Sequence, residues 1–162
     1  MPVKIDQVDS EIIFKLIDNA RKPFTEVAKE LLVSTGTVHQ RVKKLERSGV
    51  ISGYSLSINY RKFGYTLTVY VGVFVQTGHS AMKVIESLHA VPEITVADLA
   101  AGTYNIFCKL RCKDTLHAKD VLFRIQDLPG VKGTETMIML EEQLNDNRRL
   151  LKSIIEDLKP NI

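Results

Sequence analysis

The chain has 162 residues, of which 44% are hydrophobic and 25% are charged, and its formal net charge is +3. This length allows one domain or two small ones with packed cores, and the small charge excludes a polycation acting through bulk charge alone. The chain has neither a signal-peptide pattern at its start nor an apolar run of roughly 18 residues that could span a membrane. We expect a soluble, cytoplasmic protein.

The positive charge is concentrated in the N-terminal part of the chain. Residues 1–63 carry 11 lysines and arginines against 7 acidic residues, whereas residues 64–162 carry 11 against 12. This asymmetry favours a division of labour between two parts. The two cysteines, Cys108 and Cys112, lie in one strand-like segment, about 13 Å apart at roughly 3.3 Å per residue, too far for a disulfide. Without a histidine cluster they predict packing residues, not a metal site.

Three short helices are predicted in residues 1–50. Asp6 is suited to cap the first helix, which continues with apolar residues at helical spacing. Pro23 suits the start of a second helix, and Ser34 is a good N-cap for a third. Gly49 supplies the left-handed position after the third helix. Because the last two helices are joined tightly, the segment has the outline of a helix-turn-helix domain.

The third helix has an unusual outward face. Val38, Val42 and Leu45 form its buried stripe, and the opposite side combines amide, hydroxyl, imidazole and cationic groups. Glu46 is the lone acid, so we expect the cations to lack partners and to suit DNA phosphates, although a solvated basic face is the alternative. Gly36 costs about 0.5–1 kcal/mol relative to Ala and either admits a DNA backbone or reflects drift at an exposed site.

The polar groups of this helix divide by chemistry. Thr35 and Thr37 suit base edges or phosphates, and Gln40 can pair with adenine through two hydrogen bonds. The lysines and arginines are better placed for the DNA backbone. The predicted DNA-binding residues are Ser34, Thr35, Gly36, Thr37, His39, Gln40, Arg41, Lys43, Lys44 and Arg47.

After Gly49 the pattern changes from a helical to a strand period. Tyr54, Leu56 and Ile58 alternate with polar residues, which predicts a half-buried linker strand within residues 51–63. Residues 64–144 then repeat one pattern of strand, helix and strand. This order predicts a ferredoxin-like βαββαβ domain. The predicted elements are a strand at 66–76, a helix at 80–90, strands at 94–101 and 104–111, a helix at 115–127 and a strand at 133–140.

The strand at 66–76 is apolar on both faces. A ferredoxin-like sheet has helices on one face only, so the side chains of Tyr70 and Phe74 need another apolar surface, for which a second copy is the simplest supplier. We therefore expect a homodimer. Residues 145–162 predict a final amphipathic helix that docks on its own domain or on a neighbouring subunit. Its inward residues would be Leu151, Ile154, Ile155 and Leu158, with Pro160 as the stop.

Together the two halves resemble the Lrp/AsnC (leucine-responsive/asparagine, or feast/famine) family of transcriptional regulators over nearly the whole chain. The second domain is similar to the family's ligand-sensing module, with Pro-Gly/Glu-Val/Ile turns and the Thr134-x-Thr136 strand. The resemblance implies an α+β fold with a helix-turn-helix domain joined to that module. The N-terminal motif comprises Asp6, Asp9, Arg21, Glu26, Ala28, Ser34, Val38, the run 41–46, and Gly49, Val50, Ile51, Gly53 and Tyr54.

The resemblance also implies a dimer that assembles further, often to an octamer, on pseudo-palindromic promoter DNA in the nucleoid. An amino acid or similar effector, and no other cofactor, would bind between dimers. The family's Gly-Asp-Tyr-Asp turn is Gly-Thr-Tyr-Asn here, so both acids are absent: the effector differs, Asp98 compensates, or no free amino acid is sensed. A plain tight turn is the simpler interpretation. The candidate effector residues are Asp98, Gly102, Thr103, Tyr104, Asn105, Thr134 and Thr136.

Other functional classes fit less well. Segment 102–111 lacks the basic-Gly-aromatic spacing of RNA-recognition modules. The four histidines are scattered and form no hydrolase or metalloenzyme motif, so neither catalytic nor metal-binding residues are predicted. An oligomeric small-molecule-binding protein with little specific DNA binding is the main alternative, but the intact third helix argues against it.

Overall fold

A computed structural model describes residues 4–144, 146 and 148–157. The chain divides into two compact units, Met1–Leu56 with Leu144–Ile162 and Ser57–Gln143. Within the described residues no helix is both long and apolar enough to cross a membrane. In chain order the elements are α1 (Gln7–Asp18), α2 (Phe24–Glu30), α3 (Thr35–Arg47), a 3-10 turn (Tyr60–Phe63), β1 (Leu67–Val75), α4 (Ala81–Leu88), β2 (Ile94–Leu99), β3 (Ile106–Cys112), α5 (Thr115–Gln126), β4 (Val131–Met139) and α6 (Arg148–Asp157).

The first unit contains the three predicted N-terminal helices. Asp6 caps α1 by accepting a hydrogen bond of 2.9 Å from the Asp9 N–H, and Ser34 caps α3 by accepting one of 3.0 Å from the Thr37 N–H. Gly49 follows α3 with a φ of 73°, as predicted for a left-handed helix end. The core joins all three helices through Ile12, Leu16, Val27, Ala28, Val38 and Val42.

Helix α6 also belongs to the first unit, where it packs against α1. The Arg148 guanidinium lies 3.0 Å from a carboxylate oxygen of Asp18. Leu151 and Ile155 are half-buried as predicted, but Ile154 is 45% exposed, so its predicted inward position is wrong. A short amphipathic helix that packs against a single helix buries a narrower stripe of side chains than its apolar periodicity predicts. The predictions for Leu158 and Pro160 lie outside the described residues.

The predicted linker strand does not form in the described chain. Residues 51–59 have no regular structure, and Tyr60–Phe63 form the 3-10 turn. Leu56, predicted to be half-buried, is 81% exposed. The physical reason is that a strand needs a hydrogen-bonded neighbour, whereas alternating polarity reports only which side chains share a face.

The second unit confirms the ferredoxin-like prediction. Its four strands are antiparallel in the order β2-β3-β1-β4, so that β2 and β4 form the edges. Helices α4 and α5 pack on one face, over a core that includes the fully buried Val69, Val71 and Val73 of β1. The free thiols of Cys108 and Cys112 are buried in β3, and burial raises the pKa of each to about 11.

Within the described residues of the second unit, no helix covers the opposite face of the sheet, and this face is aromatic. The strand register places Gly72 opposite Phe107 and Tyr70 opposite Met137. Tyr70 stacks on Phe107 with ring centroids 5.4 Å apart, and Phe74 contacts another tyrosine edge-on. We call Tyr70, Gly72, Phe74, Phe107 and Met137 the open sheet face. Tyr70 and Phe74 are the side chains of this face for which the sequence predicts a second copy.

Candidate functional site

Helix α3 presents part of its predicted binding set to solvent. Gly36, His39, Gln40, Lys43 and Arg47 are exposed. The hydroxyl groups of Ser34 and of the half-buried Thr37 are hydrogen-bonded to each other at the helix cap, with their oxygens 2.8 Å apart. Thr35 is half-buried in the first turn of the helix. The exposed face thus begins at Gly36 and ends at Arg47.

No neighbour among the described residues requires a glycine at position 36. A Cβ built there would meet only the Ser34 hydroxyl oxygen, at an ordinary contact distance of 3.7 Å. Gly36 also has no positive φ, so an alanine would fit the backbone. The space beside Gly36 is therefore open on the outer side of α3.

His39 links the two helices of the predicted DNA-reading motif. Its ring and that of Phe24, at the start of α2, make a T-shaped contact with centroids 4.7 Å apart and planes inclined by 78°. Edge-to-face contacts of this kind stabilise by about 0.5–1.5 kcal/mol beyond the area that they bury. His39 therefore orients α3 against α2 while its side chain remains exposed.

Two of the predicted DNA-binding cations are held by acidic residues of α1 and its cap. Arg41 forms ion pairs with Asp6 and Asp9, the latter at 3.1 Å. Lys44 Nζ lies 3.0 Å from the other carboxylate oxygen of Asp9. The expectation that the cations lack acidic partners is therefore wrong for Arg41 and Lys44. The partners come from a different helix, which a count of charges along α3 cannot show.

The other two cations of α3 remain available. Glu46, the lone acid of the helix, accepts a hydrogen bond of 3.0 Å from the Tyr54 hydroxyl group. Within the described ranges, Lys43 and Arg47 make no ion pair, and both side chains are exposed. The positive charge that α3 can offer to a phosphate is therefore concentrated on these two side chains.

The predicted effector turn of the second unit is fixed by Asn105. Its backbone N–H donates to the Val73 carbonyl at 3.1 Å, and its carbonyl accepts from the Ala100 N–H at 3.0 Å. Its side-chain Oδ1 accepts a 2.8 Å hydrogen bond from the Val75 N–H. Because the Val75 N–H is a donor, the side-chain oxygen of Asn105 must face it, and the Asn105 Nδ2 group remains free to donate to another acceptor.

Tyr104 lies across the open sheet face. A Cβ on Gly72 would overlap the carbon atoms of the Tyr104 ring, so the ring can occupy this position only above a glycine. Desolvation, followed by a hydrogen bond with Glu135, raises the pKa of the Tyr104 hydroxyl group. Sequence reasoning missed Glu135. Strand alternation was the available signal, because it places Glu135 on the opposite side of β4 from Thr134 and Thr136.

The seven candidate effector residues do not meet within one chain. Asp98 belongs to β2, at one edge of the sheet, and Thr134 and Thr136 belong to β4, at the other edge. Thr134 accepts a 2.7 Å hydrogen bond from Gln126 of α5, so it lies on the helix-covered side. Asp98 pairs in register with Phe107 and therefore shares the open face. The structure brings Tyr104, Glu135 and Gly72 together, but not the whole predicted set.

One oxygen of a half-buried carboxylate in the second unit has a structural role. Glu93 Oε1 lies 3.0 Å from His117 Nε2 and 2.7 Å from Arg124, so it ties the start of β2 to α5. His117 Nδ1 accepts from the Lys113 N–H at 3.1 Å, which assigns the ring proton to Nε2. In the part of the chain that is described, no group of three or more His, Cys, Asp or Glu side chains could hold a metal ion.

Comparison with known families agrees with both units. The family model described as Lrp/AsnC ligand binding domain matches residues 68–149, and that described as winged helix-turn-helix DNA-binding matches residues 5–52. Regulatory protein AsnC of Haemophilus influenzae is 33% identical over 157 residues, covering 96% of this chain and 98% of that protein. These matches are to regulatory DNA-binding proteins, not to enzymes.

Solved structures show the same architecture over both units. The structure of Escherichia coli AsnC has a TM-score of 0.83 at 30% identity and covers 89% of this chain and 97% of that chain. The feast or famine regulatory protein from M. tuberculosis complexed with L-methionine has a TM-score of 0.81 at 25% identity, with the same coverage. The chain belongs to the Lrp/AsnC family of transcriptional regulators.

Proposed function

We propose that this regulator binds promoter DNA through the exposed side of α3 and that an amino acid or related effector modulates its activity or assembly. The observation that carries the DNA-binding part is the pair Lys43 and Arg47, two exposed cations without an ion pair among the described residues, on the second helix of a helix-turn-helix motif. A regulator with this role would be associated with the bacterial or archaeal nucleoid. Phosphate contacts would then come from these cations and base contacts from Gln40 and its neighbours.

The contacts divide along the helix. Thr35, Gly36 and Gln40 lie toward the N-terminal half of α3, the part that reads base edges in helix-turn-helix proteins. Lys43 and Arg47 lie toward its C-terminal end, where cations also interact favourably with the helix dipole. We assign Arg41 and Lys44 to holding α3 against α1 rather than to the DNA.

A binding titration with a Lys43→Ala/Arg47→Ala variant tests this assignment. We expect the logarithm of the DNA affinity to depend less steeply on the logarithm of salt concentration, by about 0.9 for each phosphate contact removed. The fold is expected to survive, because neither side chain makes an ion pair in the described structure. A variant with wild-type affinity and salt dependence would exclude α3 as the DNA-binding helix.

We propose that the protein forms a homodimer through the open sheet face and assembles further. Support comes from the stacked aromatic side chains of that face, on which no described helix of the second unit packs, and from linker residues 51–59, which pair with no strand in the described chain. A Tyr70→Glu variant would place a charge among these rings. Light scattering of wild type and variant distinguishes the cases: a monomeric wild type at micromolar concentration would contradict the dimer.

We propose that the effector site includes Tyr104, Asn105 and Glu135 and is completed by a neighbouring copy. Asp98 and the two threonines of β4 lie at opposite edges of one sheet, so they can share a site only if different copies contribute them. The M. tuberculosis relative in complex with L-methionine supports an amino acid as the ligand class. Here Glu135 offers a carboxylate where the turn itself has none.

A thermal-shift screen with the natural amino acids tests the effector proposal. A ligand present at about 100 times its Kd should stabilise the folded protein by roughly 2.7 kcal/mol. A Glu135→Gln variant should lose that response if Glu135 binds the ligand's ammonium group. No response to any amino acid in the wild type would contradict this ligand class.

A further inference from the structure

Two adjacent lysines of α3 have different surroundings. Both are exposed, but one residue corresponds to about 100° around a helix, so only one of them can point toward α1. Lys44 Nζ lies 3.0 Å from Asp9 Oδ2, and its side chain is 50% exposed. Lys43 makes no ion pair within the described residues. The pair therefore offers a matched comparison of a restrained cation and a free one.

The carboxylate of Asp9 is buried and held in place by several hydrogen bonds. Its side chain is 0% exposed, and its Oδ1 accepts a 3.1 Å hydrogen bond from Arg41. Its Oδ2 accepts from Lys44 at 3.0 Å and from the Asp6 N–H at 3.4 Å. If Lys44 moved to a phosphate, Asp9 would keep its buried charge but lose one of its two cations, which is unfavourable. The buried carboxylate thus opposes transfer of Lys44 to DNA.

We propose that Asp9 is a positioning residue that withholds Lys44 from DNA phosphates and thereby limits sequence-independent binding. This inference rests on the proposed DNA-binding face of α3. Non-specific affinity comes from cations that neutralise phosphates and release counterions. A lysine that keeps its internal acid contributes little to that release. Discrimination between sequences then depends more on the exposed polar groups of α3.

Single substitutions at the two lysines test the proposal while Asp9 and its ion pair with Arg41 are kept. The full chain carrying Lys43→Gln or Lys44→Gln would be titrated with a random-sequence DNA duplex by fluorescence anisotropy. We expect Lys43→Gln to reduce the salt slope by about 0.9 per bound domain, a change of about threefold in relative affinity between about 50 and 200 mM salt. Lys44→Gln should leave the slope as in the wild type. An equal loss in both variants would overturn the proposal.

The reverse experiment releases Lys44. Asp9→Asn keeps the shape of the side chain but removes its charge, and its Nδ2 group cannot accept a hydrogen bond from an ammonium group. We expect the salt slope on random-sequence DNA to become steeper by about 0.9 per bound domain. The Asp9→Asn/Lys44→Gln double variant should return to the wild-type slope. A merely structural role of Asp9 would not make the slope depend on Lys44.

The possible outcomes separate this inference from the DNA-binding proposal. Circular dichroism would show whether Asp9→Asn is folded; if it is not, the comparison of Lys43→Gln with Lys44→Gln decides alone. A folded Asp9→Asn protein with the wild-type slope would overturn the role of Asp9. If both Lys43→Gln and Arg47→Gln retained the wild-type slope, the proposed face of α3 would be wrong, and this inference would fail with it.

Discussion

The ring of Tyr104 lies so close to Gly72 of β1 that any side chain at position 72 would occupy the same space. The contact connects the turn proposed to bind the effector with the centre of the sheet. It also places the ring beside Phe74 and Phe107 on the open sheet face, with centroids 5.4 Å and 6.4 Å away. Movement of this turn would therefore change the surface through which two copies are proposed to associate.

Substitution of Gly72 tests the importance of this contact. We expect Gly72→Ala to lower the free energy of unfolding by about 1–3 kcal/mol, because the added methyl group displaces the Tyr104 ring. Gly133→Ala is the matched control, since a Cβ on this β4 glycine meets nothing within 4 Å. Urea denaturation measures both variants. Equal losses at the two positions would show that the ring moves away without cost.

Gly36 separates folding from DNA binding. Because no described neighbour requires the glycine, Gly36→Ala should stabilise the first unit by about 0.5–1 kcal/mol through the better helix propensity of alanine. If a DNA backbone approaches this position closely, the same variant should bind DNA more weakly. Thermal unfolding and a DNA titration measure the two effects. A stabilised variant with unchanged DNA affinity would support drift at an exposed site.

Leu32 occupies a strained position in the turn between α2 and α3. Its φ is 54°, in the left-handed region that disfavours residues with a Cβ, and its side chain is 93% exposed. We expect Leu32→Gly to raise the free energy of unfolding by about 1 kcal/mol, because glycine relieves the backbone strain and the exposed leucine side chain contributes little burial that could be lost. Leu32→Ala keeps the Cβ and should give no such gain. Denaturant unfolding of both variants checks this, and equal stability of the two would contradict it.

Asp6 makes the stability of the first unit sensitive to acid. A hydrogen bond from Arg41 is the main cause that lowers the pKa of Asp6 in the folded state. A lowered pKa contributes stability above the unfolded value of about 3.9 and loses it as the pH falls through the folded value. Stability should therefore decline below about pH 4. Asp6→Asn preserves a good N-cap but removes the charge, so it should reduce this decline. An unchanged acid profile would show that Asp6 does not contribute.

Asn105 allows a carboxylate to be restored to the proposed effector turn. Asn105→Asp keeps an acceptor for the Val75 N–H, so the fold should be retained. The added charge should strengthen the thermal response to amino acids, because it can pair with their ammonium group. Asn105→Leu removes the acceptor of this solvent-exposed hydrogen bond and should destabilise the protein by about 0.5–1.5 kcal/mol. Identical amino-acid responses of wild type and Asn105→Asp would show that position 105 does not contact the ligand.

The sequence by itself determined both folds, because each depends on local periodicity and caps. The apolar spacing and the caps Asp6 and Ser34 predicted the helices of the first unit, and the repeated strand-helix-strand pattern predicted the ferredoxin-like βαββαβ domain. The motifs of both halves also sufficed to recognise the family. These signals are properties of short segments, so they can be read without knowledge of what packs against what.

Only the tertiary structure decided which groups are available. Lys43 and Lys44 are both exposed, but the position of α1 gives Lys44 a buried acid as a partner and leaves Lys43 without an ion pair among the described residues. The linker alternates like a strand but has no neighbouring strand within the described chain. Asp98 and Thr134 are separated by the full width of the sheet. Each outcome depends on residues distant in sequence, because ion pairs, strand pairing and shared sites are relations between segments.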